Sequence, residues 1–199
     1  MKPKELRDLL ISTLLLAVAF GIARSGGVQA FSEPGSLLIV CLMAVVSISS
    51  GFILHEMGHR FIARKLVCIA EYHMWPAGLI IALVSSLFGF VFAAPGAVVI
   101  SSGTDSQGRA ILTQEKAGLI SIAGPAMTIC LAVVFILLNV AWPTLLFSLG
   151  AYINAWLAVF NLIPFGPLDG TAIFRWNKMV WLAVATIAIA LFALELSVS

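Results

Sequence analysis

Long apolar runs separated by short polar stretches dominate the pattern of this 199-residue chain. A helix needs about 20 apolar residues to cross a bilayer. Five runs approach that length, at residues 9–22, 37–54, 115–140, 143–160 and 179–196. Hydrophobic residues make up 61% of the chain and charged residues 10%, which excludes an ordinary soluble domain. The pattern predicts an all-α polytopic membrane protein with about five transmembrane helices.

The runs follow one another without an extended soluble segment, so we expect a single membrane-embedded domain over residues 1–199. Its core spans about residues 37–170, with peripheral helices at about 9–23 and 179–196. Lys2, Lys4 and Arg7 precede the first run and place the N-terminus in the cytosol by the positive-inside tendency. The net charge of +2 gives no indication of a nucleic-acid partner. The predicted location is the cell membrane, with the lipid bilayer as partner and the oligomeric state left open.

Two histidines and a carboxylate end the second run, at His55, Glu56 and His59. On a helix, a spacing of four residues places both imidazoles on one face, where they can reach one metal ion, with Glu56 beside them. This HExxH arrangement is typical of zinc hydrolases and predicts Zn²⁺ as the cofactor. His55 lies about 27 Å along the helix from Leu37, which puts the metal just under the cytosolic face of the membrane. An ordinary membrane span with a polar end is the alternative interpretation.

A catalytic zinc site usually has three protein ligands and one open position, so a third ligand is needed. The one further histidine, His73, lies in a stretch typical of the membrane interface. Among the nine acidic residues, Asp169 follows a helix-breaking stretch, residues 161–168, in apolar surroundings. A lone carboxylate is costly there and indicates a partner. Asp169 is the predicted third ligand, and a helix cap at the interface is the alternative role.

The apolar run at residues 77–94 has a length that could also cross the membrane. A full crossing would place Asp169 on the opposite side from His55 and His59 and would move five of the eleven basic residues outside. We therefore expect a re-entrant segment that packs beside the site. The β-branched stretch Pro95 to Ile100 predicts a short strand or hairpin, followed by a polar turn at residues 101–108.

Two motifs together resemble those of the site-2 proteases, the intramembrane zinc metalloproteases. The first is His55-Glu56-Met57-Gly58-His59, and the second is Asn161-x-x-Pro164-x-x-x-Leu168-Asp169-Gly170. The resemblance implies a three-helix catalytic core in which His55, His59 and Asp169 bind zinc and Glu56 is catalytic. It also implies a membrane-associated β-hairpin at residues 95–100. Gly124-Pro125-Ala126-Met127-Thr128 matches the GPxxN element of that family except at Thr128, where asparagine is usual.

The expected function is that of an intramembrane zinc metalloendopeptidase, which cleaves transmembrane segments of membrane-protein substrates in regulated intramembrane proteolysis. Glu56 would accept the proton of the attacking water and pass it to the leaving amine. Asn161 is a candidate hydrogen-bond donor to the substrate or the oxyanion, or else it caps its own helical turn. A catalytically inactive metal-binding scaffold and a metal transporter are the alternative functions.

Overall fold

The structure, a computed structural model, describes residues 2–102 and 112–198. Most of the polar turn predicted at residues 101–108 lies outside the described residues. Within them, a two-stranded sheet accompanies a mainly helical chain. The helices are α1 (Pro3–Arg24), α2 (Pro34–Lys65), α3 (Pro76–Ser86), α4 (Gln114–Ala141), α5 (Leu145–Asn161), α6 (Asp169–Trp176) and α7 (Lys178–Val198), with a 3₁₀ helix at Gly27–Ser32. The strands are β1 (Ile69–Met74) and β2 (Gly96–Ser101).

Four helices of the described chain, α1, α2, α4 and α7, are long and apolar enough to cross a membrane. Helix α5 has 17 residues, which is about 25 Å of helix and somewhat short of a 30 Å hydrocarbon core. The structure therefore agrees with a helical membrane protein. The predicted total of five crossings depends on α5 and stays a prediction.

Helix α2, which carries the HExxH motif, has clear start and stop signals. Pro34 occupies its first turn, where the missing N–H is not needed. Arg64 and Lys65 lie in its last turn, where positive charge favours the carbonyl end of the helix dipole. The helix thus starts three residues before the predicted apolar run and continues past the HExxH motif to Lys65.

Helices α2, α4 and α5 pack on one another and form the centre of the fold. Small residues allow the close approach: a Cβ at Gly58 would collide with the backbone of Ala123 on α4, and one at Gly51 would collide with Asn154 on α5. Asn154 is fully buried, and its Nδ2 donates to the Gly150 carbonyl at 2.8 Å. The three-helix arrangement agrees with the predicted core, with α1 packed on α2 and α3, and α7 on α5 and α6.

The segment between β1 and β2 starts and finishes at the same end of the small sheet. Met74 pairs with Gly96, and the Trp75 amide donates to the Pro95 carbonyl at 2.8 Å. Helix α3 between them has 11 residues, or about 16 Å, about half of a hydrocarbon core. The returning chain is held by protein groups, because the Val91 carbonyl accepts from Trp156 Nε1 at 2.9 Å. This is the geometry expected of a re-entrant segment, whose depth in the bilayer stays a prediction.

The small sheet corrects the expectation of a hairpin within residues 95–100. Those residues supply one strand only, and the antiparallel partner is β1, at Ile69–Met74, which the sequence pattern did not predict. The two strands are joined through α3 rather than by a tight turn. The pairing runs from Ile69 with Ser101 to Met74 with Gly96.

We predict that the end of α2 and the end of β2 lie on one side of the membrane. Cysteines at Lys65 and Ser101, both exposed, would be introduced into a chain whose three native cysteines are replaced by alanine. A membrane-impermeant maleimide should label both from the cytosolic side of oriented vesicles. A cysteine at Gln29, in the 3₁₀ helix, is the control and should react only from the other side. Labelling of position 101 from the same side as position 29 would show that residues 75–95 cross.

Candidate metal centre

The structure brings together His55 and His59 of α2 with Asp169 of α6. His55 and Asp169 are 114 positions apart in the chain. Asp169 Oδ2 lies 3.1 Å from His55 Nε2 and 3.2 Å from His59 Nε2. Both histidines are buried, and the Asp169 side chain is 15% exposed. One donor atom from each of the three residues lies within 4.8 Å of the other two, and the described residues contain no second group of this kind.

The four-residue spacing within α2 produces this convergence. One helical turn separates His55 from His59, and their ring centroids lie 4.7 Å apart with the planes at 82°. Asp169 is the first residue of α6, so its side chain extends from a helix N-terminus, where a carboxylate is favoured by the helix dipole. The break after α5 that the sequence showed is what allows the chain to turn and present this residue.

A backbone carbonyl fixes the orientation of the His59 ring. His59 Nδ1 lies 2.8 Å from the carbonyl oxygen of Ile120 on α4. Because a carbonyl can only accept, Nδ1 carries a proton, and in the neutral imidazole this leaves on Nε2 the lone pair that a metal ligand needs. This is how a ligating histidine is commonly held by its surroundings. His55 Nδ1 is buried and has no hydrogen-bond partner among the described residues.

The absence of a side chain at Gly124 lets α4 approach the two histidines of α2 closely. A Cβ at this position would lie within 2.6 Å of His55 Nε2 and closer still to the His59 ring. Real Cβ atoms do not approach so closely, so a larger residue would displace an imidazole. The sequence showed Gly124 only as part of a motif match. An isolated glycine in a long apolar helix is a signal of close packing, but it does not identify the neighbour.

A small cavity of about 20 Å³ joins Glu56 to the three convergent side chains. A cavity needs roughly 10–15 Å³ to hold one water molecule, so this volume admits a single one. Glu56 Oε2 is buried without a hydrogen-bond partner among the described residues. The other walls of the cavity come from Gly96, Ala97 and Val98 of β2 and from Pro167 and Leu168 in the loop before Asp169.

The donor set suits a divalent metal such as zinc. Two imidazole nitrogens and one carboxylate oxygen are the ligand types that catalytic zinc sites use, with one position left open. Ligand atoms about 2.0–2.1 Å from a tetrahedral ion lie roughly 3.3 Å from one another. The 3.1 and 3.2 Å separations observed here are close to that value. The unpartnered Glu56 oxygen beside the group adds a base to the arrangement.

The other two residues considered from sequence supply no donor atom to this group. Asn161 lines the cavity, but its Nδ2 donates to the Leu157 carbonyl at 2.9 Å, the bond expected of an asparagine that holds its own helical turn. His73 is an exposed residue of β1 and does not belong to the group of convergent ligands.

The chain is 37% identical over 187 residues to a protein of Methanocaldococcus jannaschii. That alignment covers 91% of this chain and 88% of the relative, which carries the curated name "putative zinc metalloprotease". The chain belongs to this zinc metalloprotease family. No family model and no solved structure matches the chain. Membership in the zinc metalloprotease family and the three-donor group together confirm the prediction of Zn²⁺ as the cofactor.

We predict that Gly124→Ala lowers the zinc content of this metalloprotease, because the added methyl group would displace the His55 and His59 rings. Gly118→Ala is the matched control: Gly118 lies on the same helix, α4, and a Cβ there would collide with the Trp176 ring, at the opposite end of α6 from Asp169. Zinc in the purified protein, measured by plasma mass spectrometry, should fall well below one ion per chain only for Gly124→Ala. Equal zinc loss in both variants would show that the effect is a general one on packing.

Proposed function

We propose that this zinc metalloprotease is an intramembrane endopeptidase of the site-2 protease type, which cleaves transmembrane segments of membrane-protein substrates in regulated intramembrane proteolysis. The observation that carries the proposal is that Glu56, with its unpartnered Oε2, lines one small cavity with His55, His59 and Asp169. Glu56 and both histidines lie on α2, an apolar helix long enough to span a membrane. A metalloprotease site on such a helix implies a substrate that is itself in the membrane.

In this proposal, His55, His59 and Asp169 hold the metal, and Glu56 is the catalytic base. Zinc, when bound, supplies Lewis acidity that polarises a carbonyl and makes water more acidic. Glu56 accepts the proton of the attacking water and delivers it to the leaving amine. Its Oε2 is available for this task because no other described group forms a hydrogen bond with it. The cavity, at about 20 Å³, has room for the attacking water beside Glu56.

The free edge of β2 is the proposed docking site for an unwound substrate segment. Trp75 and Pro95 form a hydrogen-bonded pair, and antiparallel pairs alternate between bonded and non-bonded positions. Tyr72 and Val98 therefore form a non-bonded pair, in which the backbone N–H and C=O of both residues point away from the sheet. The Tyr72 amide agrees with this geometry, since it donates to a side chain of α1 at 3.0 Å. Val98 is thus left with outward-facing backbone groups beside the metal centre.

A larger cavity of about 340 Å³ lies along this edge and has Val98, Ile100 and Asp169 in its walls. A peptide strand placed there would pair with the outward-facing groups of β2 and pass the metal centre, as in other complexes formed by strand addition. Because a helical substrate must unwind before it can pair, we expect cleavage to favour segments with helix-weakening residues. Asn161, which keeps one N–H of its amide free of the bond to Leu157, is proposed to contact the substrate or the oxyanion.

The proposed site lies near the cytosolic face of the cell membrane, with the N-terminus also cytosolic. The HExxH motif is in the last third of α2, close to the basic residues Arg60, Arg64 and Lys65. Positive residues favour the cytosolic side, which supports this orientation. The partners in this proposal are a membrane-protein substrate and the bilayer, with no nucleic acid.

Neither alternative function is favoured by the site. A metal-binding scaffold has no need of a buried, unpartnered carboxylate beside its ligands, yet Glu56 supplies one. A transporter needs further ligands along a path through the membrane. The described residues hold no second group of three convergent ligands. Membership in a zinc metalloprotease family supports the peptidase.

We predict that Glu56→Gln abolishes cleavage without removing the metal. Loss of a general base slows such reactions by about a hundred- to ten-thousand-fold. Purified protein would be incubated with a model transmembrane substrate, and the products would be followed by mass spectrometry. Wild-type protein should cleave and should stop when a chelator removes zinc, while the Glu56→Gln protein should keep its zinc and remain inactive. Cleavage that persists in this variant and in Asp169→Ala would refute the assignment.

We predict that Val98→Pro reduces cleavage by about tenfold or more, because it removes the N–H proposed to pair with the substrate. One such hydrogen bond is worth about 0.5–1.5 kcal/mol, and the neighbouring contacts of the paired strand are lost with it. Proline is tolerated on an edge strand where the N–H faces away from the ladder. Val98→Ala, which keeps the N–H, is the matched control and should retain most of the activity. Equal activity of the two variants would exclude pairing at this residue.

A further inference from the structure

Glu5 of the first helix is a buried carboxylate outside the proposed catalytic core. Its side chain is 7% exposed, although it lies near the chain terminus among charged residues. Oε1 accepts the backbone N–H of Tyr72 on β1 at 3.0 Å and forms an ion pair with Arg60 on α2. A charge is kept so far from water only where partners compensate it. One carboxylate thus joins α1, α2 and β1.

The Tyr72 side chain makes a second connection between α1 and the sheet. Its hydroxyl oxygen lies 2.8 Å from Ser12 Oγ and 3.0 Å from the Pro95 carbonyl oxygen. Because the carbonyl cannot donate, the phenol donates to Pro95 and accepts from Ser12. Burial raises the pKa of Tyr72, which keeps the phenol protonated for this bond. Glu5 and Ser12 are seven residues apart, so they share one face of α1.

These contacts also position β2, the strand that lies over the metal centre. The Tyr72 ring lies against Gly96, where an added Cβ would meet the ring within 2.6 Å of Cζ. On its other side the ring contacts Phe52 of α2 edge to face, with centroids 5.6 Å apart. Gly96 starts β2, whose first three residues line the cavity that holds His55, Glu56 and His59. The position of Tyr72 therefore sets the position of β2 over the site.

A second ion pair, between Lys2 just before α1 and Glu71 of β1, is weaker. Its atoms are 2.7 Å apart, but the Lys2 side chain is 72% exposed. The hydrogen bond from Lys2 lowers the pKa of Glu71, yet exposed pairs contribute little to stability. Glu5, with its buried bond to a backbone amide, is therefore the contact that fixes the strand.

We propose that Glu5 is a positioning residue of the peptidase, which holds β1 and, through Tyr72, sets β2 at the distance from the metal centre that substrate pairing requires. The inference rests on the proposed function. It assigns to α1, otherwise peripheral to the predicted core, a direct effect on substrate binding. Glu5 touches neither metal nor substrate, so its loss affects KM through the strand rather than the metal content.

The variants separate this role from a general effect on folding. Glu5→Ala removes the contacts with Tyr72 and Arg60 and also the bond that Glu5 Oε2 accepts from the Lys2 backbone N–H at 3.4 Å. Glu5→Gln keeps oxygen and nitrogen atoms in place, so it can still accept the Tyr72 N–H, but it loses the charge that pairs with Arg60. Asp8→Ala is the matched control, because Asp8 lies one turn further on α1, is similarly buried, with a side chain 9% exposed, and pairs with Arg7 of its own helix. Its charge helps to raise the pKa of Tyr72, but the described residues show no hydrogen bond from Asp8 to β1. Each variant would be the full chain, purified in detergent.

The experiment combines hydrogen–deuterium exchange, zinc content and cleavage kinetics. Hydrogen bonds to charged groups are roughly twice as strong as neutral ones, so Glu5→Ala should speed exchange in residues 69–74 and 96–101 by about tenfold or more. KM should rise by a similar factor, and zinc should be retained. Glu5→Gln should restore most of the protection and of the KM, and Asp8→Ala should match wild type.

Unchanged exchange in Glu5→Ala, or equal changes in Asp8→Ala, would overturn the inference. Loss of zinc together with strand protection would also overturn it, because the carboxylate would then support the whole fold. If wild-type protein cleaves no membrane substrate, the proposed function fails, whereas the exchange measurements still decide whether Glu5 holds the strands.

Discussion

The contact between one carboxylate, Asp169, and the two imidazoles of His55 and His59 is the constraint on which the rest of the structure depends. These groups are polar, lie in an apolar chain and come from helices far apart in sequence. An unpaired charge in such surroundings is costly, so the helices must pack in an arrangement that satisfies all three. Helix α4 completes that arrangement, because its Ile120 carbonyl accepts a hydrogen bond from His59 and because Gly124 leaves room for the two imidazole rings.

The cover of this centre is held from outside the three-helix core. Strand β2 closes the small cavity, β1 holds β2, and α1 holds β1 through Glu5 and Ser12. The segment through α3 begins and ends at the sheet, so it adds apolar contacts without carrying the chain away from the site. The metal centre and the strand beside it are therefore positioned by different sets of contacts. In the proposed function, a change in the contacts of the strand would alter substrate binding while His55, His59 and Asp169 stay in place.

The sequence predicted the metal centre better than its surroundings. The spacing of His55 and His59 is a local property of one helix, and Asp169 followed from the scarcity of acids in an apolar chain. Strand β1 was missed because residues 69–74 mix charged, aromatic and apolar side chains without a regular alternation, and its pairing with β2 is not local. Glu5 looked like one of several terminal charges, since its burial depends on how α1 packs. The proximity of Gly124 to the imidazoles likewise depends on the rotation of α4, which no local pattern specifies.

The most direct measurement of the central claim is X-ray absorption spectroscopy at the zinc edge of the purified protein. Two imidazoles and a carboxylate predict nitrogen and oxygen neighbours at about 2.0–2.2 Å, with the multiple scattering of histidine rings and no sulfur shell. Asp169→Ala should lose a light-atom ligand while the histidine signal remains. A sulfur shell at about 2.3 Å would show that cysteines bind the metal and would contradict the account. So would a wild-type spectrum that is unaffected by the loss of Asp169.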